Sequence, residues 1–134
     1  MGVHVSNGHF RTSNKGVVRQ VFNFAIGAAG AVGTVTQAGA NFISGVTRTA
    51  QGVYTVQFNQ LYPVRVIAAF AHCGAPAVTS ALAFARIDSD SFSASAGTIV
   101  VTTCDTSAVA ADPVSGSSIN VEITYVDQTT GIAN

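Results

Sequence analysis

The stretch Ser118–Val126 alternates without a break. Ile119, Val121, Ile123 and Tyr125 are large and apolar, and Asn120, Glu122 and Thr124 between them are polar. Successive side chains of a strand point to opposite faces, so this pattern predicts a strand with one face in a core and one face open. Val53–Phe58 repeats it, with Tyr54, Val56 and Phe58 on one side and Thr55 and Gln57 on the other. A helix, with its period of about 3.6, cannot gather these residues on one side. A sheet with one dry face needs a second layer over it, so the chain is bound to an architecture of packed β layers.

The remaining segments supply more strands. Val17–Ile26 is rich in Val and Phe, and Val32–Thr36 and Phe42–Thr49 are shorter candidates on either side of Gln37–Ala40. Asn59–Pro63 is a turn. After it, Val64, Val66, Ala68 and Phe70 are expected to line one face of a long strand, with Arg65 on the other and Gly74–Pro76 at its end. Thr79–Ile87 predicts a strand with Leu82 and Phe84 sharing a face, followed by a turn at Asp88–Asp90. Ser91–Ser95 and Thr98–Cys104 read as two strands joined at Ala96-Gly97, and Asp105–Gly116 as the longest polar loop. Some eight strands with turn signals every 8–12 residues or so indicate an all-β antiparallel β-sandwich or a barrel. Residues 1–15 read as an extended N-terminal arm, 16–127 as the β domain and 128–134 as a C-terminal tail. No heptad pattern, fixed-period repeat or supported long helix interrupts this reading.

Charge sets the next constraint. Arg11, Lys15, Arg19, Arg48, Arg65 and Arg86 all precede Asp88, Asp90, Asp105, Asp112, Glu122 and Asp127, and these are the only charged side chains. They amount to 9% of the residues, against about a quarter in an ordinary soluble domain. A weakly charged surface with zero net charge promotes association, which predicts that other subunits cover much of it. Two readings of the order follow. Arg48, Arg65 or Arg86 balance the late acids within one fold, at small benefit if exposed. Arg11, Lys15 and Arg19, by contrast, lie ahead of the folded body and bind acids on a partner, so they are the candidate partner-binding residues.

Catalytic and metal chemistry finds little footing. His72 and Cys73 are neighbours on a predicted strand and so point apart, and His4 and His9 fall in the arm. No C-x-x-C or H-x-x-x-H spacing supports a metal site. The Asp88–Asp90 turn, joined by Asp105 and Asp112, offers carboxylates for Ca²⁺, but it lacks the glycine and the bidentate Glu of a twelve-residue calcium loop. Ser115-Gly-Ser117 is only a fragment of a nucleophile elbow. No phosphate-binding glycine loop is present, and the basic residues are too dispersed for a nucleic-acid surface. The expectation is therefore a protein that is not an enzyme and has no cofactor, metal or nucleic-acid partner. Cys73 and Cys104 are read as two small buried apolar residues, or as a pair on neighbouring strands. Met1–Arg19 lacks a signal-peptide core, and Val64–Cys73 is far shorter than a membrane span of about 20 residues. The expected place of synthesis is a cytoplasm, with no membrane partner.

The segment from Ser44 through Thr47-Arg-Thr-Ala-Gln-Gly-Val-Tyr-Thr-Val56 to Phe58, continued by Tyr62–Phe70, resembles a pattern common in virion proteins of tailed bacteriophages. Phe92 through Asp112-Pro113 to the Ser-Ser-Ile-Asn-Val-Glu-Ile strand fits the same pattern, so the likeness spans roughly Ser44–Asp127. Members of that group are jelly-roll or related β-sandwich modules, typically trimeric, that decorate and cement capsids or form tips of tail fibres. The resemblance implies a jelly-roll-like sandwich and a structural role. The chain would be a decoration or cement protein on the capsid surface, a homotrimer bound to the major capsid protein. The alternative is a receptor- or glycan-binding tip of a tail fibre, and beyond it a small enzyme or lectin-like domain outside any virus. A start at Met1, a short arm and no shaft repeat suit the cement protein better than the fibre.

Overall fold

A computed structural model describes residues 16–37, 41–59, 63–88 and 91–127. The arm, the tail, the Asp90 carboxylate and Tyr62 lie outside these residues, as do Arg11 and Lys15. The chain runs β1 (Val17–Ile26), a short 3-10 turn (Ala28–Gly30), β2 (Val32–Gln37), β3 (Ile43–Ala50), β4 (Val53–Phe58), β5 (Pro63–Gly74), β6 (Phe84–Ile87), β7 (Thr98–Cys104) and β8 (Ser118–Asp127). These form two four-stranded antiparallel sheets, β2-β1-β8-β5 and β3-β4-β7-β6, packed into an all-β sandwich.

Early strands pair with late ones. β1 lies along β8 from Val17↔Val126 to Ala25↔Ser118, and β4 lies along β7. The first-to-last pairing is shared with a jelly roll. A jelly roll would also set β8 between β1 and β3 and β7 between β2 and β4, whereas here β8 lies between β1 and β5 and β7 between β4 and β6.

The alternating strands build the core as their pattern requires. Ile119, Val121, Ile123 and Tyr125 of β8 face Tyr54, Val56 and Phe58 of β4 and Ile99 and Val101 of β7, all buried. Each such side chain, once fully buried, contributes about 1.5–3 kcal/mol. Aromatic rings tie the two sheets together: Phe24 meets Tyr54 with centroids 5.5 Å apart, and Phe42 stacks on Tyr125 at 5.2 Å. At the β2–β3 crossover, Gln37 Oε1 accepts the backbone N–H groups of Phe42 and Ile43, both at 2.7 Å.

Three local expectations change. In β5 the pairing shifts between Val66↔Tyr125 and Ala68↔Thr124, so Ile67 is an extra residue in a bulge. One inserted residue reverses the phase of every side chain after it. Val66 therefore packs on the core, but beyond the bulge Ala69, Ala71 and Cys73 do so, while Phe70 is exposed on the outer side. Only Phe84–Ile87 of the Thr79–Ile87 segment is a strand. Ala85 and Ile87 supply its inner face, leaving Leu82 and Phe84 exposed. Ser91–Ser95 contributes just an isolated bridge, Ser93↔Thr98, because Phe58 and Ser93 already engage the Gly97 turn by backbone hydrogen bonds.

Candidate functional site

Two places in the described structure concentrate polar chemistry or unusual exposure. The first is one end of the sandwich, around Asp112. Arg48, on β3, donates from Nε to Asp112 Oδ1 at 3.0 Å and from Nη2 to Oδ2 at 2.7 Å, a two-pronged pairing. The Gly52 N–H donates to the same Oδ1 at 2.8 Å. Tyr54 Oη lies 3.1 Å from the Gly30 carbonyl oxygen and 3.2 Å from Asp112 Oδ1, so its single proton serves both acceptors.

The backbone is shaped to let the carboxylate in. Gly30 has φ +76°, and a Cβ there would sit 2.3 Å from Asp112 Cγ. Gly52 has φ +69°, and a Cβ there would sit 2.5 Å from the Thr103 carbonyl oxygen. Both positions need glycine for conformation and for space. The electrostatics follow from these contacts. The hydrogen bonds from Arg48, aided by the Gly52 N–H and Tyr54, hold the Asp112 carboxyl below its ordinary value against the opposing effect of burial. Burial, reinforced by the Asp112 charge, pushes the Tyr54 phenol up to about 12.

This cluster joins the β1–β2 turn, the β3–β4 turn and the 105–116 loop, and both oxygens of the Asp112 carboxylate accept hydrogen bonds from within the chain. Its arrangement suits a clamp. A nucleophile needs a base and a base needs a free proton path, whereas Asp112 is consumed by Arg48 and Gly52.

The second place is the outer face of the β2-β1-β8-β5 sheet. One row across it is Val21, Glu122 and Phe70, and the next is Asn23, Asn120 and His72. Val21 is 44% exposed, Ile67 52% and Phe70 60%. A shallow depression of about 150 Å³ lies between Val21, Phe70, His72, Asn120 and Glu122.

The residues singled out from sequence fall as follows. Arg11 and Lys15 are outside the described residues. Arg19 belongs to β1, not to an arm ahead of the body: β1 begins at Val17, and the β1–β8 register sets Arg19 diagonally beside Glu122, with which it forms an ion pair. Hydrogen bonding between the two raises the Arg19 guanidinium and lowers the Glu122 carboxyl. Of the three arginines expected to balance late acids, Arg48 pairs with Asp112 and Arg86 reaches Asp88 at 3.6 Å. Arg65 forms no ion pair among the described residues.

The carboxylates proposed for calcium do not converge. Asp88 accepts from Thr102, Asp105 from the N–H groups of Ser107 and Val109, and Asp112 from the clamp. Among the described residues no three His, Cys, Asp or Glu side chains assemble into a metal-binding group. Cys73 and Cys104 are free thiols, half-buried, on strands of different sheets, so they are not a pair on neighbouring strands. Burial raises the Cys73 thiol, with Ser117 opposing.

Sequence reasoning missed the clamp, whose members are some 60 positions apart, and the outward turn of Phe70 past the bulge. Gly52, directly before the alternating Val53–Phe58 strand, was the available signal for the first. Among known proteins, no family model, no curated protein and no solved structure matches the chain.

Proposed function

We propose that this chain is a non-enzymatic structural protein of a virus particle. In this reading it is a decoration or cement protein that binds the outside of a phage capsid as a homotrimer and stabilises it. The observation that carries the reading is the surface. Val21 and Phe70 flank Glu122 on adjacent strands, Ile67 lies near them, and Leu82, Phe84 and Val109 are exposed elsewhere, in a chain with few charges to keep copies apart. Single exposed apolar residues are ordinary on a monomer, but adjoining ones mark contact surfaces. The likeness of Ser44–Asp127 to virion β modules points the same way.

The mechanism is physical. Copies joined to one another present several shell-binding points at once. Each contact raises the effective concentration of the next, so modest affinities hold a shell together. Residues 1–15, with Arg11 and Lys15, extend this reach to the major capsid protein.

Purified protein added to phage heads that lack it is expected to co-sediment saturably and to raise the temperature at which the heads release DNA. Removing residues 1–15 is expected to weaken that binding, and added salt to weaken it further as exposed charges are screened. Binding to host cells with none to heads would replace this reading with the fibre tip.

A further inference from the structure

One proline of the chain, Pro113, follows an aspartate, whereas none of Asp88, Asp90, Asp105 and Asp127 precedes a proline. The chemistry of such a bond is particular. An aspartate carboxyl oxygen reaches its own backbone carbonyl carbon through a five-membered ring, and a reaction within one molecule at this distance is strongly favoured over attack from solution. The proline nitrogen belongs to a tertiary amide with no N–H. It is more basic than an ordinary amide nitrogen and leaves more readily once protonated.

In the folded chain this bond sits under the clamp. Oδ1 of Asp112 is gripped by Arg48 Nε at 3.0 Å and the Gly52 N–H at 2.8 Å, and Oδ2 by Arg48 Nη2 at 2.7 Å. A carboxylate held at both oxygens cannot turn onto its own carbonyl carbon. The backbone on either side is tied as well. The Thr103 hydroxyl donates to the Ala111 carbonyl oxygen at 2.6 Å, and the Gly116 N–H to that of Ile26 at 2.8 Å. Pro113 itself is buried. The bond lies just ahead of β8, the strand between β1 and β5 that brings Ile119, Val121, Ile123 and Tyr125 to the core. A chain cut here keeps β8 by pairing alone, so its next unfolding is irreversible.

We propose that the clamp guards a self-cleaving bond: held by Arg48 and Gly52, the Asp112 carboxylate leaves the Asp112–Pro113 bond whole, and freed in acid it cuts that bond. In the step, an Asp112 carboxyl oxygen bonds to the Asp112 carbonyl carbon. The bond from that carbon to the Pro113 nitrogen breaks, and the nitrogen leaves with a proton taken from solvent. Water then opens the cyclic anhydride, restoring the side-chain carboxyl and leaving a new carboxyl at Asp112 and a free amine at Pro113. The sum is one peptide bond and one water consumed.

Acid is the trigger because of what faces the carboxylate. Arg48 comes from β3 and Tyr54 from β4, while the two turns offer only the Gly52 N–H and the Gly30 carbonyl. The guanidinium is raised by its bond to Asp112 and the phenol is pushed up to about 12, so neither changes charge in acid. Asp112 does. Its carboxyl is lowered, so the grip is full above the ordinary range near about pH 4 and is lost as pH falls further. The inference goes beyond the capsid reading and does not depend on it.

The test holds the full-length protein at the lowest pH at which circular dichroism shows the fold intact. It is warmed until the same chain in guanidinium chloride at that pH is half cut, and pieces 1–112 and 113–134 are followed by mass. Cutting of the folded chain follows the fraction whose clamp is open, so it is expected to be at least about 10-fold slower than in denaturant. Folded Arg48→Gln is expected to approach the denatured rate. Tyr54→Phe, which removes a weaker donor and should cut at an intermediate rate, stands in if Arg48→Gln does not fold. Asp112→Glu, which needs a six-membered ring, is expected to remain whole over the same time even in denaturant.

Equal rates in the folded and denatured chain would overturn the inference. So would a folded clamp variant cut as slowly as the unaltered chain, because something other than the clamp would then protect the bond. Asp112→Glu cut as fast as the unaltered chain, or no cut in denaturant at all, would remove the carboxyl from the step.

Discussion

At the Asp112 end of the sandwich, the polar groups that leave water find partners inside the chain: Arg48, Gly52 N–H, Tyr54 and the Gly30 carbonyl close around one carboxylate. On the outer face of β1, β8 and β5, by contrast, Val21, Ile67 and Phe70 remain in water. The clamp is complete in one copy, and its worth is stability. The open face contributes little to the folded chain, and its worth appears only when something covers it. Substitutions at the two places should therefore act on different observables.

Gly52→Ala carries the largest expected effect. The added Cβ meets backbone, the Thr103 carbonyl oxygen at 2.5 Å, at a φ of +69°. A loss on the order of 3 kcal/mol is expected, from the left-handed conformation and the clash together. Melting should fall by roughly 10 °C for a chain of this length. Unchanged melting would show that the clamp end is looser than its geometry states.

Asp112→Ala comes next, at about 2 kcal/mol, because it strands the Gly52 N–H and takes the carboxylate from the Arg48 guanidinium. The clamp also predicts a pH dependence. The Asp112 carboxyl sits below its unfolded value in the folded chain, so its contribution is full above the ordinary carboxylate range near pH 4. It is lost as pH falls further toward the folded value. The difference in melting between the unaltered chain and Asp112→Asn should shrink below about pH 4. A constant difference would mean that the charge contributes nothing. At alkaline pH Tyr54 acts with the opposite sign: its phenol is raised to about 12, so stability present below about pH 10 is lost between there and pH 12.

Phe70→Ser turns the comparison round. Its side chain is 60% exposed, so stability should change by no more than about 0.5 kcal/mol while association weakens. Melting that drops by as much as for Asp112→Ala would make Phe70 a fold residue and dissolve the contrast. The smallest effect belongs to Arg19→Gln. Its partner Glu122 lies on the same exposed face, and exposed ion pairs contribute little, so melting should not move measurably.

The strands with strict alternation were legible because one physical rule governs them: β1, β4 and β8 lie where period and composition put them, with the core residues of β4 and β8 as expected. Where the rule was interrupted, it misled. The bulge at Ile67 leaves no mark in composition, and it alone decides that Phe70 faces outward. Leu82 and Phe84 were expected to share a face of one strand, but the strand begins only at Phe84, and Ala85 and Ile87 fill that part of the core.

The clamp was illegible for a different reason. Asp112 sits beside Pro113 in what reads locally as a turn, and its partners Arg48, Gly52 and Tyr54 are brought to it only by the packing of two sheets. The order of charges was informative in part. Early basic residues do meet late acids, in Arg19–Glu122 and Arg48–Asp112, because β1 pairs with β8 and the 105–116 loop folds over the β3–β4 turn. Arg65 and Asp105 form no ion pair among the described residues.

The central claim is that the open face is completed by further copies of the same chain. Sedimentation of the unaltered, full-length protein across the micromolar range tests it most directly. The account predicts a reversible species with the mass of three chains that gains population with concentration. A single-chain mass throughout would contradict it.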